Sequence, residues 1–115
     1  MSNGLTMTES RNGGICIVSL TGRIDSANAT VFLTHLNELI SAGEKSIVLD
    51  FANVLYLTSA AFRALLVATD EAERRAARLA LCSLAGQVRE LFEMGGLLDV
   101  FTILGSREEA LAQLG

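Results

Sequence analysis

The sequence has no proline and no tryptophan, a single histidine and only two cysteines. The histidine, His35, is predicted on the polar side of a helix, so a Ser-His-Asp or Cys-His catalytic arrangement would have to recruit it from a solvated face. Cys16 and Cys82 lie far apart within apolar segments, which is typical of free thiols packed as small hydrophobic side chains. Metal-ligand spacings such as C-x-x-C or H-x-x-x-H do not occur. We therefore expect no catalytic residue and no bound metal.

Basic residues are also scarce. The chain has 9 lysines and arginines against 13 aspartates and glutamates, giving a net charge of -4. Because nucleic-acid affinity comes largely from basic side chains that neutralise phosphates, we expect no nucleic-acid partner. Glycine-rich phosphate-binding loops are absent, so no nucleotide cofactor is expected.

Long apolar runs are missing as well. Charged residues interrupt every hydrophobic segment before it reaches the roughly 18 residues that a membrane span needs, so no membrane insertion is expected. The first eleven residues lack the basic start, apolar stretch and cleavage site of a secretory signal. These features predict a cytoplasmic protein.

What the sequence does contain is a large share of apolar residues. The chain has 115 residues, of which 50% are hydrophobic and 19% charged. This length and composition suit one folded domain with one core. We therefore expect a single domain over residues 1–115. A monomer or weak dimer is also expected.

The apolar pattern predicts alternating strands and helices. Residues 5–10 and 15–20, joined by Asn12-Gly13-Gly14, are expected to form an antiparallel hairpin. A helix is then predicted from an N-cap at Ser26 to Gly43, followed by a central strand at 46–51. Later segments follow the same alternation: a helix from Ser59 to about 77, a strand at 79–82, a helix ending at Gly95-Gly96, a strand at 101–104, and a last helix opened by the capping box of Ser106 and Glu109.

This order predicts an α/β fold with a mixed, mostly parallel sheet, an N-terminal hairpin and about four helices. In such sheets, functional groups collect beyond the carboxyl ends of the parallel strands. The rule selects the predicted loops at 21–26 and 52–59. Asp50, at the predicted end of the central strand, could in principle be the phospho-acceptor of a receiver domain. The acidic pair and the lysine after the last strand that such domains share are missing, so we expect Asp50 to make local hydrogen bonds instead.

Residues 50–66 carry the most informative motif. Together with Leu20-Thr21-Gly22-Arg23-Ile24-Asp25 and the segment at 88–103, they resemble the STAS domain family, which includes the bacterial anti-sigma factor antagonists. The resemblance covers nearly the whole chain. It aligns Ser59 with the family's phosphorylatable serine, and it implies that five residues flank the phosphorylation site: Asp25, Asp50, Thr58, Ala60 and Ala61. Thr58 stands where the family often has an acidic residue, and Ala61 stands where it usually has glycine.

Elementary physical chemistry is compatible with a modified serine at this position. The first turn of a helix has free backbone N–H groups and the positive end of the helix dipole, which together stabilise a phosphate. A phosphoserine carries about -1.5 to -2 charges, and that charge opposes docking of an apolar partner surface. The alternative is that Thr58 and Ser59 simply cap the second helix.

The second helix is predicted to offer a docking face. If Phe62, Leu65, Leu66 and Thr69 point inward, the opposite face is free for a partner. The residues expected on this partner-binding face are Arg63, Ala64, Val67, Asp70 and Arg74.

The resemblance implies a phosphorylation-switched anti-sigma factor antagonist that is not an enzyme. Unphosphorylated, it would bind an anti-sigma factor that is also a serine kinase, and a serine phosphatase would reverse the modification. ATP would bind the partner, so no cofactor is expected here. The alternative is a STAS module that regulates a transporter or another signalling partner, or senses a small ligand, without a sigma factor.

Overall fold

A computed structural model describes residues 3–115 of the chain, so residues 1 and 2 of the expected domain lie outside it. The described part contains nine elements. They are β1 (Leu5–Asn12), β2 (Ile15–Ile24), α1 (Ala29–Ser41), β3 (Ser46–Leu57), α2 (Ser59–Arg74), β4 (Arg78–Cys82), α3 (Gly86–Met94), β5 (Thr102–Leu104) and α4 (Arg107–Leu114). The five strands form one sheet in the order β1-β2-β3-β4-β5. The predicted α/β fold is confirmed.

The N-terminal hairpin has the predicted form. β1 pairs antiparallel with β2, from Leu5 opposite Gly22 to Asn12 opposite Ile15. The turn between them uses Gly13 at a φ of 61°, a left-handed conformation that glycine adopts without a steric penalty. All later strand pairs are parallel, as the alternation with helices requires.

Strand order determines where the helices lie. Since each parallel strand is added beside the previous one, right-handed crossovers carry α1, α2 and α3 to the same face of the sheet. That face holds the larger core, with Phe32, Leu49, Leu65 and Phe92 buried among its members. α4 follows the last strand and covers the opposite face, where Leu114 packs in a smaller cluster. None of the four described helices combines the length and the apolar character that a membrane span requires.

Two central strands are longer than predicted. β2 continues to Ile24 and β3 to Leu57, so most of the two predicted loops is paired strand. The register between β2 and β3 shifts twice along this extension, as it does at β-bulges. Bulges explain the error, because each adds a residue and breaks the alternation of buried and exposed positions by which a strand is recognised.

Helix ends also differ from the sequence predictions in two places. α1 begins at Ala29 with Asn28 as its N-cap residue, so the prediction that Ser26 caps this helix is wrong. α2 ends at Arg74, short of residue 77, and Ala76 takes a positive φ of 55° just beyond it. Ser106 caps the last helix as predicted, since Ser106 Oγ accepts from the Glu109 N–H at 3.1 Å. The second bond of the predicted capping box differs, because the Glu109 carboxylate accepts from the Gly105 N–H at 2.9 Å and not from the Ser106 N–H.

Candidate functional site

The extended ends of β2 and β3 bring two segments of the site together. Ile24 pairs with Leu57, and the Thr58 N–H donates to the Ile24 carbonyl at 3.0 Å. Asp25 follows Ile24, and Ser59 follows Thr58. The carboxyl end of the sheet therefore places the Asp25 turn beside the first turn of α2.

Ser59 is the first residue of α2, and its side chain is exposed. The preceding N-cap residue, Thr58, has an extended backbone, and its carbonyl accepts from the N–H groups of Ala61 and Phe62 at 3.0 and 3.3 Å. The Thr58 side chain makes no capping hydrogen bond, and its Oγ1 atom is buried and has no hydrogen-bond partner among the described residues. The two neighbouring hydroxyls are therefore different: Ser59 faces solvent, and Thr58 does not.

Asp25 has a fixed place next to this helix. Its Oδ2 accepts from Arg23 Nε at 2.9 Å, and its Oδ1 accepts from the Ala27 N–H at 2.9 Å. The hydrogen bond from Arg23, followed by those from the backbone, holds the pKa of Asp25 below its ordinary value. Asn28 is fully buried and locks the turn, accepting from the Asp25 N–H and donating to the carbonyl of Arg23. An ionised carboxylate therefore lies in the segment beside Ser59.

Asp50 does not belong to the site. It lies within β3, which runs on to Leu57, and its carboxylate faces α4, where Arg107 Nε donates to Oδ2 at 2.9 Å. Its Oδ1 accepts from the Ala52 N–H at 2.9 Å, which is the local hydrogen bond that the sequence predicts. α2 lies on the other face of the sheet, so the expectation that Asp50 flanks Ser59 is wrong.

The outer face of α2 agrees with the predicted docking face at four of five positions. Arg63, Val67, Asp70 and Arg74 are exposed, and Arg74 donates to Asp70 at 3.0 Å. Ala64 is only 4% exposed and packs in the core, so it does not lie on the exposed outer face, although it still lines the space between α1 and α2.

The inner face of α2 is built mainly from alanine. Leu66 was expected to point inward but is 40% exposed. Alanine side chains occupy most of the buried positions of α2, because this helix lies close to the sheet and to α1. The buried residues of α2 are Ala61, Ala64, Leu65, Ala68 and Ala72.

A groove of about 350 Å³ runs between α1 and α2 next to the Ser59 end of α2. We call it the α1–α2 groove. Apolar side chains make up much of its wall, with an arginine at one side. Its lining residues are Ser26, Ala29, Thr30, Leu33, Ala60, Arg63, Ala64 and Val67.

Sequence reasoning missed the contribution of α1 to this groove, because the packing of two helices against each other leaves no signal in either helix alone. It also missed Leu55 and Tyr56, which are 66% and 52% exposed just before α2. The register shift opposite Gly22 and Arg23 turns both side chains outward. In the sequence both residues stand within the apolar run from Val54 to Leu57, so no local signal marks them as exposed.

Comparison with known proteins identifies the class of domain. The STAS domain family matches residues 7–110. BtrV of Bordetella bronchiseptica, provisionally named an anti-sigma factor antagonist, is 34% identical over 108 residues, covering 94% of this chain and 93% of BtrV. The chain therefore belongs to the STAS domain family.

Solved structures agree on the fold. An anti-sigma factor antagonist from Mycobacterium paratuberculosis superimposes with a TM-score of 0.87 at 18% identity, covering 99% of this chain and 97% of that one. The Bacillus cell fate determinant SpoIIAA in its phosphorylated form superimposes with a TM-score of 0.71 at 19% identity, covering 96% and 100%. The expected resemblance to the anti-sigma factor antagonists is confirmed.

Proposed function

We propose that this protein is an anti-sigma factor antagonist whose binding is switched by phosphorylation of Ser59. In its unphosphorylated form it binds an anti-sigma factor that is also a serine kinase, and the sigma factor is released. Transfer of the γ-phosphoryl group of ATP to Ser59 Oγ breaks the bond between the β- and γ-phosphates. It forms an Oγ–P bond and releases ADP and the hydroxyl proton. A serine phosphatase reverses the modification. The protein itself performs no catalysis.

The observation that carries this proposal is the position of Ser59 as an exposed hydroxyl on the first residue of α2. The backbone N–H groups at the start of a helix have no intrahelical acceptors, and the helix dipole favours negative charge there. A phosphate is therefore accommodated without unfolding the helix. Because the Thr58 hydroxyl is buried, Ser59 is the acceptor that a kinase reaches.

The α1–α2 groove provides the docking surface for the partner in this proposal. Ala60 and Val67 lie on the α2 side of the groove, and Leu33 lies on the α1 side. These side chains suit an apolar segment of the partner. A phosphate of about -1.5 to -2 charges beside this surface, close to the ionised Asp25, makes docking of such a segment unfavourable.

The first experiment maps phosphorylation on the intact protein. The purified chain is incubated with ATP and a cell extract of its source organism, together with the variants Ser59→Ala and Thr58→Val. Intact-mass and site-mapping spectrometry then locates the phosphate. We expect one phosphate on Ser59 in the wild type and in Thr58→Val, and none in Ser59→Ala. Thr58→Val is the matched control because it removes a neighbouring hydroxyl without touching the acceptor.

Absence of phosphate on Ser59, or phosphate at another residue, would overturn the proposal and favour a STAS module that regulates a transporter or senses a ligand. Once the extract has led to the kinase, binding of purified kinase to Ser59→Asp is the second test. The added carboxylate is expected to weaken binding at least tenfold. Unchanged binding would show that charge at this position does not control the partner.

A further inference from the structure

In the part of the chain that the structure describes, Arg63 is the cation at the site that has no hydrogen-bond or ion-pair partner. It is exposed on α2, one turn after Ser59, and it lines the α1–α2 groove. Among residues 3–115, every other lysine and arginine has a hydrogen bond or an ion pair. These contacts are Arg11 to Glu44, Arg23 to Asp25, Lys45 to the Arg75 carbonyl, Arg74 to Asp70, Arg75 to Glu71, Arg78 to the Gln113 carbonyl, Arg89 to Glu93, and Arg107 to Asp50.

The spacing between Ser59 and Arg63 is that of neighbours on a helix surface. Side chains at positions i and i+4 lie over one another, and an anion placed N-terminal to a cation is the favourable order. A phosphate on Ser59 also lies at the positive end of the α2 dipole. The planar guanidinium group of arginine can donate two parallel hydrogen bonds to phosphate oxygens.

The other charges near the first turn of α2 are already engaged. Arg23 donates to Asp25 at 2.9 Å, and Asp25 also accepts from the Ala27 N–H. Asp25 repels a phosphate, and Arg23 would have to release Asp25 before it could bind the phosphate. Arg63 can reach the phosphate without breaking a contact of the folded chain.

We propose that Arg63 binds the phosphate on Ser59 within the same helix and is thereby withdrawn from the α1–α2 groove. The unphosphorylated protein presents Arg63 to a carboxylate on the apolar segment that docks in the groove. Phosphorylation supplies a competing anion one turn away, so the partner loses its basic contact as well as meeting a new negative charge. This inference rests on the proposed function, since it explains how that switch acts.

The test uses protein with phosphoserine installed at position 59 during translation, so it requires no kinase and no partner. A ³¹P NMR titration gives the second pKa of the phosphate in the otherwise wild-type chain, in Arg63→Gln and in Arg74→Gln. Arg74 is the matched control because it lies on the same exposed face of α2 but is paired with Asp70. Both arginines are exposed, so neither substitution disturbs the core.

A bound guanidinium stabilises the dianion, so we expect the phosphate pKa to be lower in the wild type than in Arg63→Gln by roughly 0.15 to 0.4 of a unit. Arg74→Gln is expected to match the wild type. Equal pKa values in all three proteins, or equal shifts in both variants, would overturn the inference. If the pKa values show that Arg63 binds the phosphate but the cell extract never phosphorylates Ser59, the contact within the helix is supported and the proposed function fails.

Discussion

Arg107 and Asp50 form a polar contact that joins the start of the last helix to the sheet. Arg107 is the first residue of α4, and its Nε and Nη2 atoms lie 2.9 and 2.8 Å from Asp50 Oδ2. Nη2 also donates to Ser19 Oγ at 2.9 Å, on the strand beside β3. Arg107 therefore links α4 to two central strands. It contacts β3 through Asp50, which is 8% exposed, and β2 through Ser19.

Replacing Asp50 with alanine is expected to lower the free energy of unfolding by about 1–3 kcal/mol, because Arg107 then keeps a partly buried charge without its partner. Urea unfolding followed by circular dichroism measures the change. The matched control is Asp70→Ala, which breaks an exposed ion pair with Arg74 and is expected to cost about 0.5 kcal/mol or less. Equal losses in the two variants would contradict the anchoring role of Asp50.

Gly22 is expected to be irreplaceable for steric reasons. Its φ is +113°, and a Cβ atom added there would lie 2.1 Å from the Gly4 carbonyl oxygen of the neighbouring strand segment. Gly22→Ala is therefore expected to lower the free energy of unfolding by about 2 kcal/mol or more. Gly86→Ala is the control, because Gly86 has no positive φ and no atom within 4 Å of the added Cβ. If denaturant unfolding gave the same midpoint for both variants, the steric argument would be refuted.

Ala64 and Val67 test which side of α2 faces outward. Ala64→Lys places a charge in the core and is expected either to abolish folding or to cost about 3 kcal/mol or more. Val67→Lys changes a side chain that is 45% exposed and is expected to alter the unfolding free energy by about 0.5 kcal/mol or less.

The same pair separates folding from docking. In the phosphorylation assay with cell extract, Val67→Lys is expected to slow modification of Ser59 while leaving the thermal unfolding midpoint unchanged. That result would place the partner on the α1–α2 groove. A wild-type rate of phosphorylation in Val67→Lys would remove Val67 from the docking surface.

Both thiols are expected to be unreactive in the folded protein. Cys16 and Cys82 are fully buried, and burial raises the pKa of each thiol above its ordinary value. Little thiolate is then present at pH 8, and a reagent has no access to it. Titration with a disulfide reagent is expected to detect both thiols only after denaturant is added. Reaction at a rate independent of denaturant would contradict the buried positions.

The raised thiol pKa values also predict the direction of a pH effect. Ionisation of either thiol favours the unfolded chain, whose cysteines have the lower pKa. This part of the stability is complete below the unfolded-state thiol pKa and is lost as pH rises through the folded-state value. Urea midpoints measured on the alkaline side are expected to fall with pH, and replacing Cys82 with alanine is expected to reduce the slope.

Much of the fold was predictable because its signals are local. Alternating apolar residues and a glycine turn indicate the hairpin, and helical periodicity indicates the amphipathic α1 and α3. The N-cap at Ser106 depends on four consecutive residues, and the structure confirms it. Ser59 at the start of α2 follows from the same local pattern.

The prediction was wrong where distant segments decide the environment of a residue. The sequence predicts Asp50 as a carboxylate at the end of a strand. In the structure it pairs with Arg107, which lies far along the chain. Leu66 is more apolar than Ala64, yet Ala64 is buried, because the close approach of α2 to its neighbours admits only a small side chain.

The sequence by itself determined the order of strands and helices, the mixed and mostly parallel sheet and the serine at the first turn of α2, since these depend on periodicity and on residues adjacent in the chain. Only the tertiary structure decided that Arg63 has no partner among residues 3–115, that the Thr58 hydroxyl is buried while the Ser59 hydroxyl is exposed, and that α1 and α2 enclose a groove beside them. Pairing, burial and grooves are relations between separate elements, and they exist only once those elements have packed together.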